Sequence, residues 1–285
     1  MKKFKYELDR SSKKFICPSC DKKTFVRYKD VEGNYITDET FGRCDREVNC
    51  GYLKYPTDKD DYVFVPPVRN AEPPPSYIDR ADVDETLQDY YLNPLCQHLV
   101  QKIGEAGVIR MVETYRFGID RLTISNRDWV VFWQYDVKGK IRSGKMIKYD
   151  NNGHRDKAFP CTWFHKCKDK YSEFNLKQCL YGEHLLAIDP RKPVAIVESE
   201  KTAVIASHFI PEYVWLACGS KTGLSASKLS ALRNRNVTLF PDLGAYDEWK
   251  IKAREFSFNV SDHIEKIATD DDRGKGLDLA DFLLR

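Results

Sequence analysis

The sequence predicts an α/β chain, α+β overall, organised in successive parts. Three observations carry that expectation. Four cysteines lie among short strand-like segments before residue 56. A mixed strand and helix region follows a proline-rich stretch. From about residue 190, short apolar runs alternate with helical stretches, the signature of βαβ units and a parallel sheet. At 285 residues the chain is long enough to bury a sizeable core. With 31% charged residues and no apolar run near the roughly 18–20 residues of a membrane helix, the pattern points to a globular chain and away from a membrane partner.

The first 15 residues, MKKFKYELDRSSKKF, are charged throughout and lack an apolar signal core, so secretion is not expected. Nine cysteines, an odd number, fit free thiols in a reducing cytoplasm better than a disulfide scaffold. In that setting clustered thiols suggest metal.

Residues 1–56 form the first expected domain. Cys17-Pro-Ser-Cys20 is a CxxC knuckle, and GRCDREVNCGY (42–52) adds Cys44 and Cys50. Four thiolates on two loops suit a tetrahedral structural zinc ion in a β-ribbon. Five residues separate the second pair, looser than the usual spacing of about two to four. Some 50 residues bury little apolar surface alone, and metal binding worth about 10–16 kcal/mol can supply the difference. Cys161, His165, Cys167 and Cys179 offer a weaker second cluster, more simply read as packing groups.

Residues 57–80 read as a stiff linker, with Pro66, Pro67, Pro73, Pro74 and Pro75 removing backbone donors and fixing φ. Residues 81–189 form the mixed region. Leu95, Leu99, Ile103 and Ala106 recur at helical spacing. WVVFWQYD (129–136) and KIRSGKMIKYD (140–150) flank a Lys-Gly turn and predict a hairpin. Between 138 and 170 lie ten basic side chains, opposed by Asp150, Asp156 and Asp169 and interleaved with Tyr149, Phe159, Trp163 and Phe164. Phosphate neutralisation with base stacking is the recipe for single-stranded nucleic acid. Lys140, Arg142, Lys145 and Lys148 are the leading candidates there, and Lys201 and Lys221 follow strand ends further on. Lysines along an exposed strand also protect a sheet edge, which is the plainer reading.

Residues 190–285 carry the alternation. PVAIVE (193–198), YVWLAC (213–218) and NVTLFPD (236–242) are the expected strands. SEKTAVIASHF (199–209), SASKLSALRNR (225–235) and AYDEWKIKAREF (245–256) are the expected helices. Ligands of such sheets bind beyond the carboxyl ends of the strands, where Glu198 and Asp242 fall. Asp278 and Asp281 stand three apart at the final helix. Carboxylates converging at one edge repel one another unless a cation neutralises them, and magnesium or manganese is the natural candidate. Helix capping is the simpler role for Asp278 and Asp281.

These residues resemble a known family. IVESEKTA (196–203) looks like the glutamate motif of a toprim domain and LFPD (239–242) like its aspartate motif. ACGSKTGLS (217–225) fits the strand–turn between them, and GLDLADFLL resembles the segment that closes the domain. A zinc ribbon, a basic strand region and a toprim-like parallel sheet, in that order, are similar to bacterial-type DNA primases. The likeness is greatest to compact primase-like proteins of bacterial mobile elements. The resemblance implies synthesis of short RNA primers from ribonucleotides on single-stranded DNA. It gives Glu198 a general acid/base or metal-organising role, and Asp242, with Asp278 and Asp281, the divalent metal.

One departure stands out. The usual aspartate motif is Asp-x-Asp, but here it reads Asp242-Leu243-Gly244, with Asp247 or Asp278 as replacements. The alternatives are a non-catalytic zinc- and nucleic-acid-binding protein and a toprim nuclease. The sequence shows no P-loop that would power strand separation, which leaves room for a separate helicase among the expected partners.

Overall fold

The computed structural model describes residues 5–56, 73–120 and 128–285. The chain divides into two compact units, Met1–Pro73 and Pro74–Arg285. Most of the expected proline-rich linker, residues 57–72, lies outside the described residues. The architecture is mixed α+β: an N-terminal four-cysteine ribbon, an antiparallel sheet and a parallel sheet with helices.

In the first unit, β3 (Lys23–Asp30) is the hub. It pairs antiparallel with β1 (Tyr6–Leu8), β2 (Phe15–Ile16) and β4 (Gly42–Cys44), and β5 (Leu53–Lys54) pairs with β4. The buried core of this ribbon is small: Cys17, Phe25, Cys44 and Tyr52. Such a core cannot hold 50 residues by apolar burial alone.

The second unit opens with α1 (Arg80–Gln88), α2 (Pro94–Ile103) and α3 (Glu105–Tyr115). Asn93 caps α2, its side chain accepting from the N–H groups of Leu95 and Cys96, and Pro94 takes the first helical position, where no donor is needed. The single helical stretch expected over Leu95–Ala106 is two helices, broken at Gly104, whose φ of +78° no helix tolerates.

An antiparallel sheet follows in the order β6 (Phe117–Asp120), β7 (Trp129–Tyr135), β8 (Ile141–Ile147), β9 (Thr162–Trp163). The expected hairpin is present. Asp136 closes its turn by accepting from the N–H groups of Lys138 and Lys140 at 2.9 and 3.0 Å. The pleat sorts its side chains. Trp129, Val131, Trp133 and Met146 pack into one cluster, while Val130, Phe132 and Ile147 join the core that contains the parallel sheet.

That sheet is β10 (Val194–Val197), β11 (Val214–Ala217), β12 (Val237–Leu239) and β13 (Asn259–Val260), ordered β11-β10-β12-β13 with every pairing parallel. Its helices are α4 (Glu200–Phe209), α5 (Ala226–Leu229), α6 (Tyr246–Phe256), α7 (His263–Ile267), α8 (Asp270–Lys275) and α9 (Leu279–Leu283). All four residues of β10 are fully buried, as a central strand covered on both faces requires. The helix expected over 225–235 is shorter: α5 passes into a 3-10 turn at Ser230–Leu232, and Asn234 turns left-handed with φ +65°. Arg235 then donates to the carbonyls of Leu186, Asp189 and Lys192 at 3.1, 3.0 and 2.8 Å, which ties the approach to β12 in place. Among the described residues, no helix is long and apolar enough to cross a membrane.

Candidate active site and metal centre

The strand order reverses between β10 and β12, because the chain goes from β10 to β11 on one side and then returns to β12 on the other. A crevice beyond the carboxyl ends at such a point is where doubly wound sheets hold ligands. Glu198 follows β10 by one residue, and Asp242 follows β12 across Phe240 and Pro241. The Leu243 N–H donates to the Leu277 carbonyl at 3.1 Å, which pins the Asp242 loop beside Asp278. Asp278 caps α9, and Asp281 reciprocates in a capping box. Thr202 on α4 donates to Asp278 Oδ2 at 2.7 Å, and Lys201 Nζ lies 3.8 Å from Asp281 Oδ1. The capping role and the cluster are therefore compatible: the cap fixes where the carboxylates stand.

Asp242 is the centre of this group. Burial pushes its carboxyl up to about 8, with Asp278, Glu198 and Asp281 adding repulsion and Lys201 opposing them. Its Oδ1 is buried with no hydrogen-bond partner. Burial also raises Glu198, against the Lys221 N–H and the Lys145 and Lys221 ammonium groups. Asp278 is raised chiefly by burial, with Lys201 opposing and Asp281 adding. Asp278, Glu198 and Asp281 thus share one field with Asp242. Among the described residues, the thiols of the ribbon are the group whose ligand atoms all come within 4.8 Å; the carboxylates stand wider. A hydrated divalent ion keeps several waters and takes only one or two carboxylates directly, so it does not require all four within direct contact.

The sequence pattern does not single out Glu200, although it sits two residues beyond Glu198. It is 1% exposed and receives Lys145 Nζ at 2.9 and 3.0 Å. Lys145 also donates to the Gly219 carbonyl at 2.7 Å. Gly219 has φ +87°, and a Cβ there would come within 3.2 Å of Glu200 Oε1, so the glycine makes room for the pair. The contact spans 55 residues of chain and ties the hairpin to the parallel sheet.

The other basic candidates divide by place. Lys201 and Lys221 stand at the carboxylate edge, and Lys221 pairs with Glu248 at 2.8 Å. Lys140, Arg142 and Lys148 lie along the hairpin. Arg142 pairs with Asp136 at 2.7 Å and covers the Tyr77 ring, which Lys140 also approaches. Lys148 lies 4.5 Å over Phe159. Asp247 is exposed in the first turn of α6 and is not among the groups that chiefly shift Asp242. The Gly244 N–H instead donates to Glu265 at 3.1 Å. Of the weaker thiol cluster, His165 stacks on Phe174 and meets Ser143 at 2.8 Å, Cys161 is exposed, and the residues do not gather.

In the ribbon, Cys17, Cys20, Cys44 and Cys50 converge. Cys17 and Cys50 sulfurs are 3.7 Å apart, and those of Cys20 and Cys44 4.0 Å. Thiolates about 2.3 Å from a tetrahedral zinc ion stand about 3.8 Å apart, so the donor set fits zinc. The Lys22 N–H draws the Cys20 thiol down to about 7, favouring the thiolate a metal needs. Burial pushes Cys17 the other way, to about 12, so metal must displace its proton.

Fold and site together define a zinc-ribbon protein with an acidic crevice on a parallel sheet. Residues 4–62 match the zinc beta-ribbon finger family. Residues 93–243, more than half the chain, match the domain of unknown function DUF6371, and the chain belongs to that family. No curated protein matches its sequence. Solved structures similar to it include the RNA polymerase domain of Mycobacterium tuberculosis primase DnaG, with 14% identity, 72% of this chain and 77% of that one covered, and a TM-score of 0.49. The zinc-binding and RNA polymerase domains of Aquifex aeolicus primase give 12% identity, 87% and 70% coverage, and 0.39. The primase fragment of the bacteriophage T7 primase-helicase protein gives 13% identity, 59% and 69% coverage, and 0.38.

Proposed function

We propose that this chain is a primase-type nucleotidyltransferase that joins ribonucleotides on single-stranded DNA. The observation that carries the reading is the buried, unpartnered Oδ1 of Asp242 among Asp278, Glu198 and Asp281. An orphaned carboxylate oxygen in that company is costly unless a cation occupies the crevice. Asp242 and Asp278 would hold magnesium or manganese, which supplies charge stabilisation to a transferring phosphoryl group. Glu198, raised by burial, can hold or release a proton at its carboxylate beside the bound ion. Lys201 and Lys221 balance the negative edge, and Lys145 fixes Glu200 beneath it.

In this reading residues 190–285 are a toprim-like catalytic domain and 81–189 the nucleic-acid-binding region. Lys140, Arg142 and Lys148 would meet backbone phosphates, and the ribbon would engage the template. The toprim motifs and the mobile-element type rest on the sequence resemblance, a cytoplasmic setting on the odd number of cysteines and the charged first residues, and a separate helicase partner on the lack of a P-loop. The test is incorporation of labelled ribonucleotides on single-stranded DNA with magnesium. Asp242→Asn should lower it by about 10²–10³-fold, as loss of a charge-stabilising group does. Unchanged incorporation would remove Asp242 from the chemistry.

A second reading is a nucleic-acid-binding protein without catalysis. Gly244 favours it, standing where the second carboxylate of the motif is expected, with Asp247 exposed in the next helix. It expects salt-sensitive DNA binding and no incorporation with any divalent metal.

A further inference from the structure

A second recess adjoins the carboxylates. It is a cavity of about 270 Å³ between α2, the loop after β8, α4 and α9. Its polar wall is His98, Lys102, His154, Lys201, Asp281 and Arg285. Cations dominate it. Lys201 is the one that pairs with Asp281, and Arg285 reaches Asp272 outside the cavity. Among the described residues no carboxylate pairs with Lys102 or with the His154 ring. His98 shows the consequence: burial, then Lys102, Lys201 and His154, hold its imidazole below the usual range, with Asp150 opposing.

The loop is built against this wall. Asp150 accepts from the N–H groups of Asn152 and His154, both at 2.9 Å, which closes a tight turn. Gly153 there has φ +73°, and a Cβ would come within 2.6 Å of the His98 ring. Glycine therefore lets the turn press onto His98 and bring His154 to the same mouth. The recess is smaller than a drug-sized pocket, so its occupant is compact.

We propose that this recess seats the polyphosphate tail of a nucleotide. The deduction rests on the nucleotidyl-transfer reading, because Asp281 is both a wall of the recess and a member of the group around Asp242. A tail held by His98, Lys102, His154 and Lys201 would run toward the metal-binding carboxylates. Phosphate oxygens are the compact, multiply charged acceptors that such a donor set recognises.

The test is calorimetric titration of the full chain with inorganic tripolyphosphate in buffer free of divalent metal. Binding is expected, weakened by about tenfold for each of Lys102→Ala and His154→Ala, two exposed positions whose loss leaves the core untouched. NMR of the ring protons gives a second measurement on the unmodified protein, where both the His98 and His154 signals should shift. ATP should displace tripolyphosphate. No binding, unshifted rings, or unchanged affinity in both variants would overturn the proposal. Displacement by single-stranded DNA but not by ATP would assign the phosphate to a strand and overturn it too. Tripolyphosphate binding in a protein that makes no primers would leave the recess standing and the enzymatic reading fallen. Primer synthesis without tripolyphosphate binding would do the reverse.

Discussion

The ribbon gathers four thiols and the edge of the parallel sheet gathers four carboxylates, under different physical conditions. In the ribbon, four thiols crowd within 4.8 Å over a core of a few side chains. At the sheet edge, four carboxylates stand wider apart on a large core that includes the whole of β10. The first site completes a fold that cannot complete itself. The second stands on a core that needs no metal, and its buried carboxylates repel one another. On the proposed function, a metal that holds a fold together and one that serves a reaction would be told apart by this difference in supporting core.

The largest effect follows from it. Chelating zinc, or Cys17→Ser, should unfold the ribbon while the second unit keeps its cooperative melt. Two-dimensional NMR would show resonances of residues 5–56 collapse and those of the parallel sheet persist. Collapse of both would mean that the second unit depends on the metal as well.

The opposite pattern is expected at the sheet edge. Glu198→Gln should cut ribonucleotide incorporation by about 10²-fold or more without lowering the melting temperature. Asp242→Asn should raise the melting temperature of metal-free protein at pH 8–9, because it removes a charge the fold resists. The sign follows from the raised carboxyl. With its folded value near 8 against an ordinary value of 3.8, the folded state holds the proton longer than the unfolded one. Stability from this group is therefore lost as pH rises between those two values. Magnesium competes with the same proton, so its stabilising shift should grow from pH 6 to pH 9 in the wild type and grow less in Asp242→Asn, where only Asp278 and Glu198 keep raised carboxyls. A magnesium effect independent of pH would disconnect Asp242 from the ion.

Two smaller effects sharpen the contrast. Gly244→Asp would restore the second carboxylate. A Cβ there meets nothing within 4 Å, but φ is +79°, so stability should fall by about 1–2 kcal/mol while magnesium binds more tightly. Lys148→Ala should reduce the slope of log affinity for DNA against log salt by about one. An intact slope would leave Lys148 a packing group over Phe159.

Much of this contrast was open to reading from one-dimensional patterns. Four cysteines at knuckle spacing announced the ribbon, and the runs at 193–198, 213–218 and 236–242 announced the strands, because burial on both faces demands unbroken apolar residues. Local signals also placed Asp278 and Asp281 at the last helix. What stayed hidden depends on contacts distant in sequence. The pairing of Glu200 with Lys145 joins positions 55 residues apart, so no local pattern shows it, and Lys145 reads in the sequence as one of several strand cations. The break at Gly104 overrode a helical periodicity that runs through it. The early end of the 225–235 helix reflects Arg235 binding three carbonyls of a distant loop, which no periodicity encodes.

The claim on which the rest stands is that the crevice around Asp242 is made for a divalent cation. Manganese soaked into crystals of the full chain, located by its anomalous signal, tests it most directly. A peak in contact with Asp242, between Glu198 and Asp278, is the expected result. No peak there at saturating manganese, or a lysine ammonium filling that place, would contradict it.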